Sequence, residues 1–346
     1  MTETMTLTEV AALKQVPLLQ INDLTKHFPL SGGLLGRSAG VVRAVDGVTF
    51  DVDAGETLGI VGESGCGKST TARLLVDLIQ ADSGQIVIDG KRVGVDMSVR
   101  EMRRHMQMVF QDSYASLNPR MTMEDAISFG PVINGMPKAK ALALAYELLA
   151  KVGLEPRRFA GRYPHELSGG QRQRVNIARA LAFSPRIVIL DEAVSALDKS
   201  VEAQVLNLLG DLKAELNLTY VFISHDLNVV KHMSDRVMVM YLGQVVEVGP
   251  VGSLYSAPAH PYTRALLGAM PSMDPDRRTM VAPLAGDPPN PINPPSGCRF
   301  HTRCQFAAPV CSTLQPSQHI LADARHFTAC HAYTPGSGHP GLGAAP

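Results

Sequence analysis

The spacing of apolar positions changes several times along the chain, and each change marks a predicted element. TLGIVG (57–62), RIVILDE (186–192) and YVFISHD (220–226) are short continuous apolar runs that end in glycine or polar residues. Such runs predict parallel strands buried on both faces, with functional side chains at their carboxyl ends. LLQIND (18–23) is a further candidate strand, and GVTFDVD (47–53) alternates as a half-buried strand does. PLSGGLLGRSAG (29–40) reads as a loop inserted in a hairpin. STTARLLVDLI (69–79) starts as a helix, and Val201, Val205, Leu208 and Leu212 share one helical face, which predicts a crossover helix. Residues 100–182 read as predominantly helical, most strongly at ALALAYELLAKVG (141–153). From Pro271 to Pro295 the composition shifts toward proline, as expected of a linker or wrapped extended segment. The last eight residues, HPGLGAAP (339–346), read as disordered.

Composition narrows the class. A chain of 346 residues has room for one large domain or two ordinary ones, and 45% hydrophobic against 18% charged residues suits a large buried core. The formal net charge is zero, so no whole-chain field draws in nucleic acid or an anionic membrane. No apolar run reaches the roughly 18 residues of a membrane-spanning helix. The N-terminal MTETMTLTEVAALKQVPLL carries acidic residues where a signal peptide would be basic, so the chain is expected in the cytoplasm. Four of its five cysteines, Cys298, Cys304, Cys311 and Cys330, cluster near the end. In a reducing compartment such a cluster suggests a metal before a disulfide framework.

Gly62-Glu63-Ser64-Gly65-Cys66-Gly67-Lys68-Ser69-Thr70 follows an apolar strand and opens a helix. Its glycines let backbone N–H groups converge on a phosphate at a helix N-terminus. Lys68 would reach the β- and γ-phosphates, and the Ser69 hydroxyl would ligate Mg²⁺. Asp191-Glu192 ends the RIVIL strand, where an acidic pair can hold the Mg²⁺ shell (Asp191) and polarise the attacking water (Glu192). His225 ends the next strand at the same sheet edge, within reach of the γ-phosphate or the water, and the Gln111 amide in MVFQD could ligate Mg²⁺ or the water.

In these motifs, and over about residues 18–270, the chain resembles the ATP-binding subunits of ABC transporters. The resemblance identifies the Walker A loop at 62–70, the Q-loop glutamine Gln111 and the signature Leu167-Ser168-Gly169-Gly170-Gln171. It continues with the Walker B pair Asp191-Glu192, the D-loop Ser195-Ala196-Leu197-Asp198 and the switch histidine His225. Phe28 stands where the family places an aromatic under the adenine ring. The implied fold is α/β: a P-loop NTPase ABC ATPase domain with a RecA-like core, an antiparallel β-subdomain and a helical subdomain, plus a small Cys-containing C-terminal extension. The expected boundaries are a flexible N-terminus at 1–16, the ATPase domain at 17–270 (helical subdomain about 100–182), a Pro-rich linker at 271–297 and the extension at 298–346. The signature precedes an apparent helix, QRQRVNIARALA, so its N–H groups form a second anion site. In the family that site, here Ser168, Gly169, Gly170 and Gln171 with Asp198, closes on ATP held by another subunit, in a head-to-tail dimer. The basic run Arg172, Arg174 and Arg179 reads, in that context, as a solvated helix face.

Finer features are similar to the dipeptide/oligopeptide permease branch: FQDSYASLNPR (110–120), DEAVSALD (191–198), HPYTRALL (260–267) and NPPSGCRFHTRC (293–304). Ser113, Thr302 and Gln305 depart from the proline more usual there. The wording DEAVSALD leans toward the second of that branch's two ATPase subunits. The branch implies a second, different ATP-binding subunit, two transmembrane permease subunits, an extracytoplasmic substrate-binding protein and no nucleic acid. It also implies a peripheral position on the cytoplasmic face of the inner membrane. Nickel, glutathione or opine import, or a non-transport ABC ATPase, are the alternatives. The spacing C-x5-C-x6-C-x18-C lacks paired CxxC knuckles. The resemblance favours a 4Fe–4S cluster on these four thiols over zinc, with His301 and His331 as fallback ligands, or over plain reduced thiols.

Overall fold

The computed structural model describes residues 16–30, 40–270, 286, 289–321 and 323–342. Most of the predicted hairpin loop, the N-terminal segment before Val16 and much of the Pro-rich stretch lie outside the described residues.

Two sheets make the framework. The first has the order β2-β1-β4-β5, from β1 (Leu19–Pro29), β2 (Val41–Val52), β4 (Ser83–Ile88) and β5 (Lys91–Arg92). β1 pairs antiparallel with both neighbours, and its end meets β2 at Pro29 opposite Val41, as the predicted hairpin requires. The alternation read in GVTFDVD holds: Val48, Phe50 and Val52 are buried while Thr49 is exposed.

The second sheet has the order β11-β12-β10-β9-β3-β8-β7-β6. Its parallel centre comprises β3 (Thr57–Val61), β6 (Met106–Val109), β7 (Ile187–Asp191), β8 (Thr219–Ile223) and β9 (Arg236–Tyr241). Antiparallel β10 (Gln244–Pro250), β11 (His319–Ile320) and β12 (Phe327–Thr328) complete one side. Every residue of β3, β7 and β8 is buried, because both faces carry apolar layers. Side chains alternate between those layers, as a period of two demands. Val188, Leu190, Tyr220 and Phe222 join the layer under the helices, while Ile187, Ile189, Val221 and Ile223 join the layer shared with the first sheet.

Helices fill the connections: α1 (Lys68–Leu75), α2 (Val99–His105), α3 (Met123–Ile133), α4 (Lys138–Lys151), α5 (Pro156–Phe159), α6 (Gly169–Leu181), α7 (Lys199–Leu216), α8 (Leu227–Met233), α9 (Val251–Ser256), α10 (Pro261–Gly268) and α11 (Pro309–Thr313). α7 is the crossover between parallel β7 and β8, but its buried stripe runs through Val205, Leu206, Leu209 and Leu212. Leu208 is only partly buried, so the stripe is rotated from the predicted one. The region read as helical contains β6, which exists by parallel pairing with β7 from Met106–Ile187 to Val109–Leu190. The C-terminal residues described as far as Leu342 include His339, whose Nε2 lies 2.9 Å from the Phe306 carbonyl, so the start of the segment read as disordered is packed.

Candidate nucleotide site

The carboxyl ends of β3, β7 and β8 lie side by side, and the turns that leave them form the site. After β3 the chain folds through Gly62–Gly67 into α1, with Gly67 at the N-cap at φ 109°. A β-carbon on Gly67 would sit 2.2 Å from the Ala44 carbonyl, so glycine is required there by conformation and by space. Lys68 is buried, and its Nζ donates to the Gly62 and Glu63 carbonyls at 2.7 and 3.0 Å. The lysine thus holds its own loop closed while it lines the pocket. Cys66 turns inward, 3% exposed, and burial pushes its thiol pKa up.

The acidic partners come from β7. The Ser69 hydroxyl donates to Asp191 Oδ1 at 2.9 Å, and burial raises the Asp191 carboxyl pKa. Glu192 turns the chain with a left-handed φ of 48°, its N–H held by the Ile223 carbonyl at 2.9 Å. A non-glycine residue in that region costs roughly 1–3 kcal/mol, and here the strain aims a carboxylate at the pocket. Gln111 Nε2 donates to Glu192 Oε2 at 2.9 Å, and His225 Nδ1 lies 3.4 Å from the same oxygen. Ser64, Gly65, Gly67, Lys68, Ser69, Thr70, Gln111, Glu192 and His225 line one open pocket of about 460 Å³. Val42 and Ala44 of β2 line it too, a contribution invisible in the sequence because it depends on how the first sheet folds over the second. Phe28 does not line it, but pairs with Val42 across the β1–β2 ladder and lies under Lys26 Nζ, 5.6 Å from the ring centroid. A hydroxyl and a carboxylate 2.9 Å apart suit Mg²⁺, which takes one or two protein oxygens and completes its shell from phosphate and water.

Ser168, Gly169, Gly170 and Gln171 stand apart from that pocket, at the N-terminus of α6. Ser168 and Gln171 form a capping box: Gln171 N donates to Ser168 Oγ at 3.4 Å, and Ser168 N to Gln171 Oε1 at 3.0 Å. Gly170 packs so closely on α7 that a β-carbon would meet Val201 Cγ1 at 2.4 Å. Asp198 is exposed at the N-cap of α7, and Ser195 Oγ donates to the Glu192 carbonyl at 3.0 Å. The arginines read as a solvated face are partly buried carbonyl donors instead. Arg172 donates to Leu167 O and Arg174 to Val152 O at 2.5 and 2.7 Å, while Arg179 donates to Ser116 O. With Asn176 Nδ2 on Ser113 O at 3.1 Å, α6 therefore grips the segment after Gln111.

The extension carries the four clustered cysteines, all free, around one small cavity shared with His260, His301 and His331. Burial pushes the Cys298 thiol up to about 12 and the Cys330 thiol to about 11. The donor set matches a 4Fe–4S cluster, but the packing does not: the cavity is about 10 Å³, room for a single water at most. Among the described residues no three His, Cys, Asp or Glu side chains are grouped to hold a metal ion. His301 Nδ1 and His331 Nε2 lie 2.9 and 2.8 Å from the carbonyls of Cys298 and Leu314, which occupies one nitrogen of each fallback zinc ligand.

Comparison with known proteins agrees with this geometry. Residues 45–195 match the family model "ABC transporter", and residues 246–311 match "Oligopeptide/dipeptide transporter, C-terminal region". The chain is 51% identical over 322 residues to "Probable peptide ABC transporter ATP-binding protein y4tS" of Sinorhizobium fredii, covering 92% of this chain and 90% of that protein. It is 48% identical over 332 residues to "Oligopeptide transport ATP-binding protein AppF" of Bacillus subtilis, covering 94% and 100%. Among solved structures it resembles cbiO1 of Clostridium perfringens, part of the ABC transporter complex cbiONQ, at TM-score 0.59 and 27% identity over 70% of this chain and 91% of that one. The dimeric post-hydrolysis ATP-binding cassette MJ0796, bound to ADP and Pi, aligns at TM-score 0.58 and 28% identity over 67% and 98%.

Proposed function

The chain belongs to the ATP-binding family of ABC transporters, and from that membership we propose that it is the ATP-hydrolysing subunit of a dipeptide or oligopeptide importer. The observation that carries this reading is the convergence of Lys68, Ser69, Gln111, Glu192 and His225 on one pocket, in a chain that also matches the oligopeptide transporter C-terminal region.

In this reading the Walker A loop, Gly62 to Thr70, wraps the phosphates, with Lys68 leaving its loop carbonyls to meet the β- and γ-oxygens. Phe28, cross-strand from the pocket-lining Val42, would have to turn toward the pocket to flank the adenine. Mg²⁺, held by Ser69 and Asp191 with Gln111, supplies charge neutralisation on the phosphates when bound. Glu192 takes the proton of the attacking water, and Gln111 and His225, both on its Oε2, orient it. Ser168, Gly169, Gly170, Gln171 and Asp198 act in trans: the signature N–H groups lie away from this chain's own pocket, so a γ-phosphate reaches them from a second subunit. A head-to-tail pair follows, and the DEAVSALD wording supports a different ATP-binding subunit as the partner.

The membrane subunits have a candidate seat. A cleft of about 400 Å³ lies between the turn after α1, the end of β6 and α3, lined by Leu78, Phe110, Phe129 and Pro131. Phe129 and Leu78 are 55% and 53% exposed, which suits a surface that is covered in an assembly. Two transmembrane permease subunits docked there would place the chain peripherally on the cytoplasmic face of the inner membrane, with an extracytoplasmic binding protein selecting cargo. The four thiols face one cavity too small for a 4Fe–4S cluster, so a cluster would form in the extension only if they opened outward from their present packing.

Glu192→Gln tests the reading. The variant should bind ATP, hold the closed dimer in gel filtration and lose about 10²–10⁴-fold in turnover. It should also abolish ATP-driven peptide uptake when the full transporter is rebuilt in vesicles. Undiminished hydrolysis would remove Glu192 as the base, and active hydrolysis without peptide uptake would remove the cargo class.

A further inference from the structure

We infer that Arg303, in the C-terminal extension, is a positioning residue for the phosphate loop, so that the extension completes the ATP site. The inference rests on the Walker A reading of residues 62–70. Arg303 Nη1 and Nη2 donate to Glu63 Oε2 and Oε1 at 2.8 and 3.1 Å, a two-pronged pair across 240 residues of sequence. Glu63 is the second residue of the loop. Its backbone N–H donates to the Tyr262 hydroxyl at 2.9 Å, so this residue is held at both ends from outside the loop. Its carbonyl in turn accepts from Lys68 Nζ. The chain of contacts therefore runs from the extension, through Glu63, to the lysine that must meet the phosphates.

The support for Arg303 is itself built. Its side chain is 6% exposed, and Nη1 also donates to the Tyr241 hydroxyl at 3.3 Å. Phe300 packs edge-on against Tyr241 and Tyr262, each at 5.4 Å between centroids, and so fixes both phenols that surround the pair. One turn earlier, Arg299 donates to the Leu242 carbonyl and to Asp46. That bond braces the far side of the loop, because Asp46 N donates to Gly243 O and Gly243 N to Cys66 O, each at 2.9 Å. Docking alone does not need Arg303: the extension is also tied to the sheets by β12 on β10 and by Arg325 on Asp53 and Glu56. A planar guanidinium that pairs with a loop carboxylate through two bonds fixes orientation as well as distance.

The test is MgATP affinity of the full chain, measured with a fluorescent nucleotide displaced by ATP, in a double-mutant cycle. Arg303→Met and Glu63→Gln should each weaken binding about fivefold to tenfold, tenfold being about 1.4 kcal/mol. The double variant should be no weaker than the worse single one, and Arg303→Lys, which keeps charge but loses the fork, should fall between. Arg325→Ala, which loosens docking elsewhere, should lower the melting midpoint and leave the affinity unchanged. Arg303→Met that lowers the midpoint with wild-type affinity would overturn the inference, as would losses that multiply in the double variant. Wild-type affinity in Lys68→Ala would instead refute the Walker A reading itself.

Discussion

Glu247→Gln changes one atom in a buried site. Glu247 is 1% exposed, inside β10, and its two oxygens are divided between two backbone donors: Oε1 accepts from Ala259 N at 2.8 Å and Oε2 from His260 N at 2.9 Å. His326 of the extension adds Nε2 at 2.7 Å from Oε1. A glutamine has one acceptor oxygen, so either way round its NH₂ faces a buried N–H that then has no partner. An orphaned buried donor costs about 1–3 kcal/mol, and the surviving bonds lose their charge assistance, so the total is about 3 kcal/mol. The assay is the urea unfolding midpoint, followed together with protease cleavage of the extension, which should become faster. Gly249→Ala perturbs the same site from the other side: its β-carbon would lie 2.6 Å from the His326 ring, displacing the imidazole but leaving both backbone donors paired. That variant should lose less, about 1–2 kcal/mol. If Glu247→Gln stays within about 1 kcal/mol of wild type, or Gly249→Ala is the worse of the two, the division of the carboxylate between two N–H groups is not what stabilises this corner.

Two further measurements follow. Burial lowers the His260 pKa to about 4, and its Nδ1 accepts the Tyr262 N–H at 3.0 Å, so the imidazole is folded neutral. The unfolded chain takes up a proton near pH 6.5 that the folded one refuses, so this group's stability is complete above pH 6.5 and falls as pH drops toward 4. The loss is about 3 kcal/mol, the order expected for an imidazole whose pKa falls from 6.5 to about 4. His260→Asn, which keeps a cap acceptor, should flatten the pH slope of urea stability over that window, and an unchanged slope would refute the assignment. For the cysteines, a cluster formed by opening that packing would give a brown, iron-bound protein absorbing at about 400 nm on anaerobic purification, and Cys298→Ser would bleach it. Colourless, iron-free protein from both aerobic and anaerobic preparations would leave four reduced thiols.

Lys68, Ser69, Glu192 and His225 of the candidate pocket are legible because each follows the end of a strand. TLGIVG, RIVILDE and YVFISHD are local patterns, and parallel packing brings their ends together without further information. MQMV alternates over too few residues to predict a strand on its own, and only pairing with β7 makes it one. The roles of Arg172, Arg174 and Arg179 are not legible because their acceptors, the carbonyls of Leu167, Val152 and Ser116, lie outside the helix that carries them. Arg303 in HTRC gives no local signal, because its partner carboxylate, Glu63, lies 240 residues earlier in the glycine-rich motif.

β10 would be the last strand of the large sheet if the chain ended at α10, presenting a row of open N–H and C=O groups. β12 covers it with only two rungs, Glu247–Thr328 and Val248–Phe327, joined by the bond from Ala329 N to Val246 O, and β11 adds two residues more. A rim that short is a poor template for another chain to extend. The extension is therefore also an end-stop: on this side of the sheet it leaves neighbouring molecules only a short rim on which to stack.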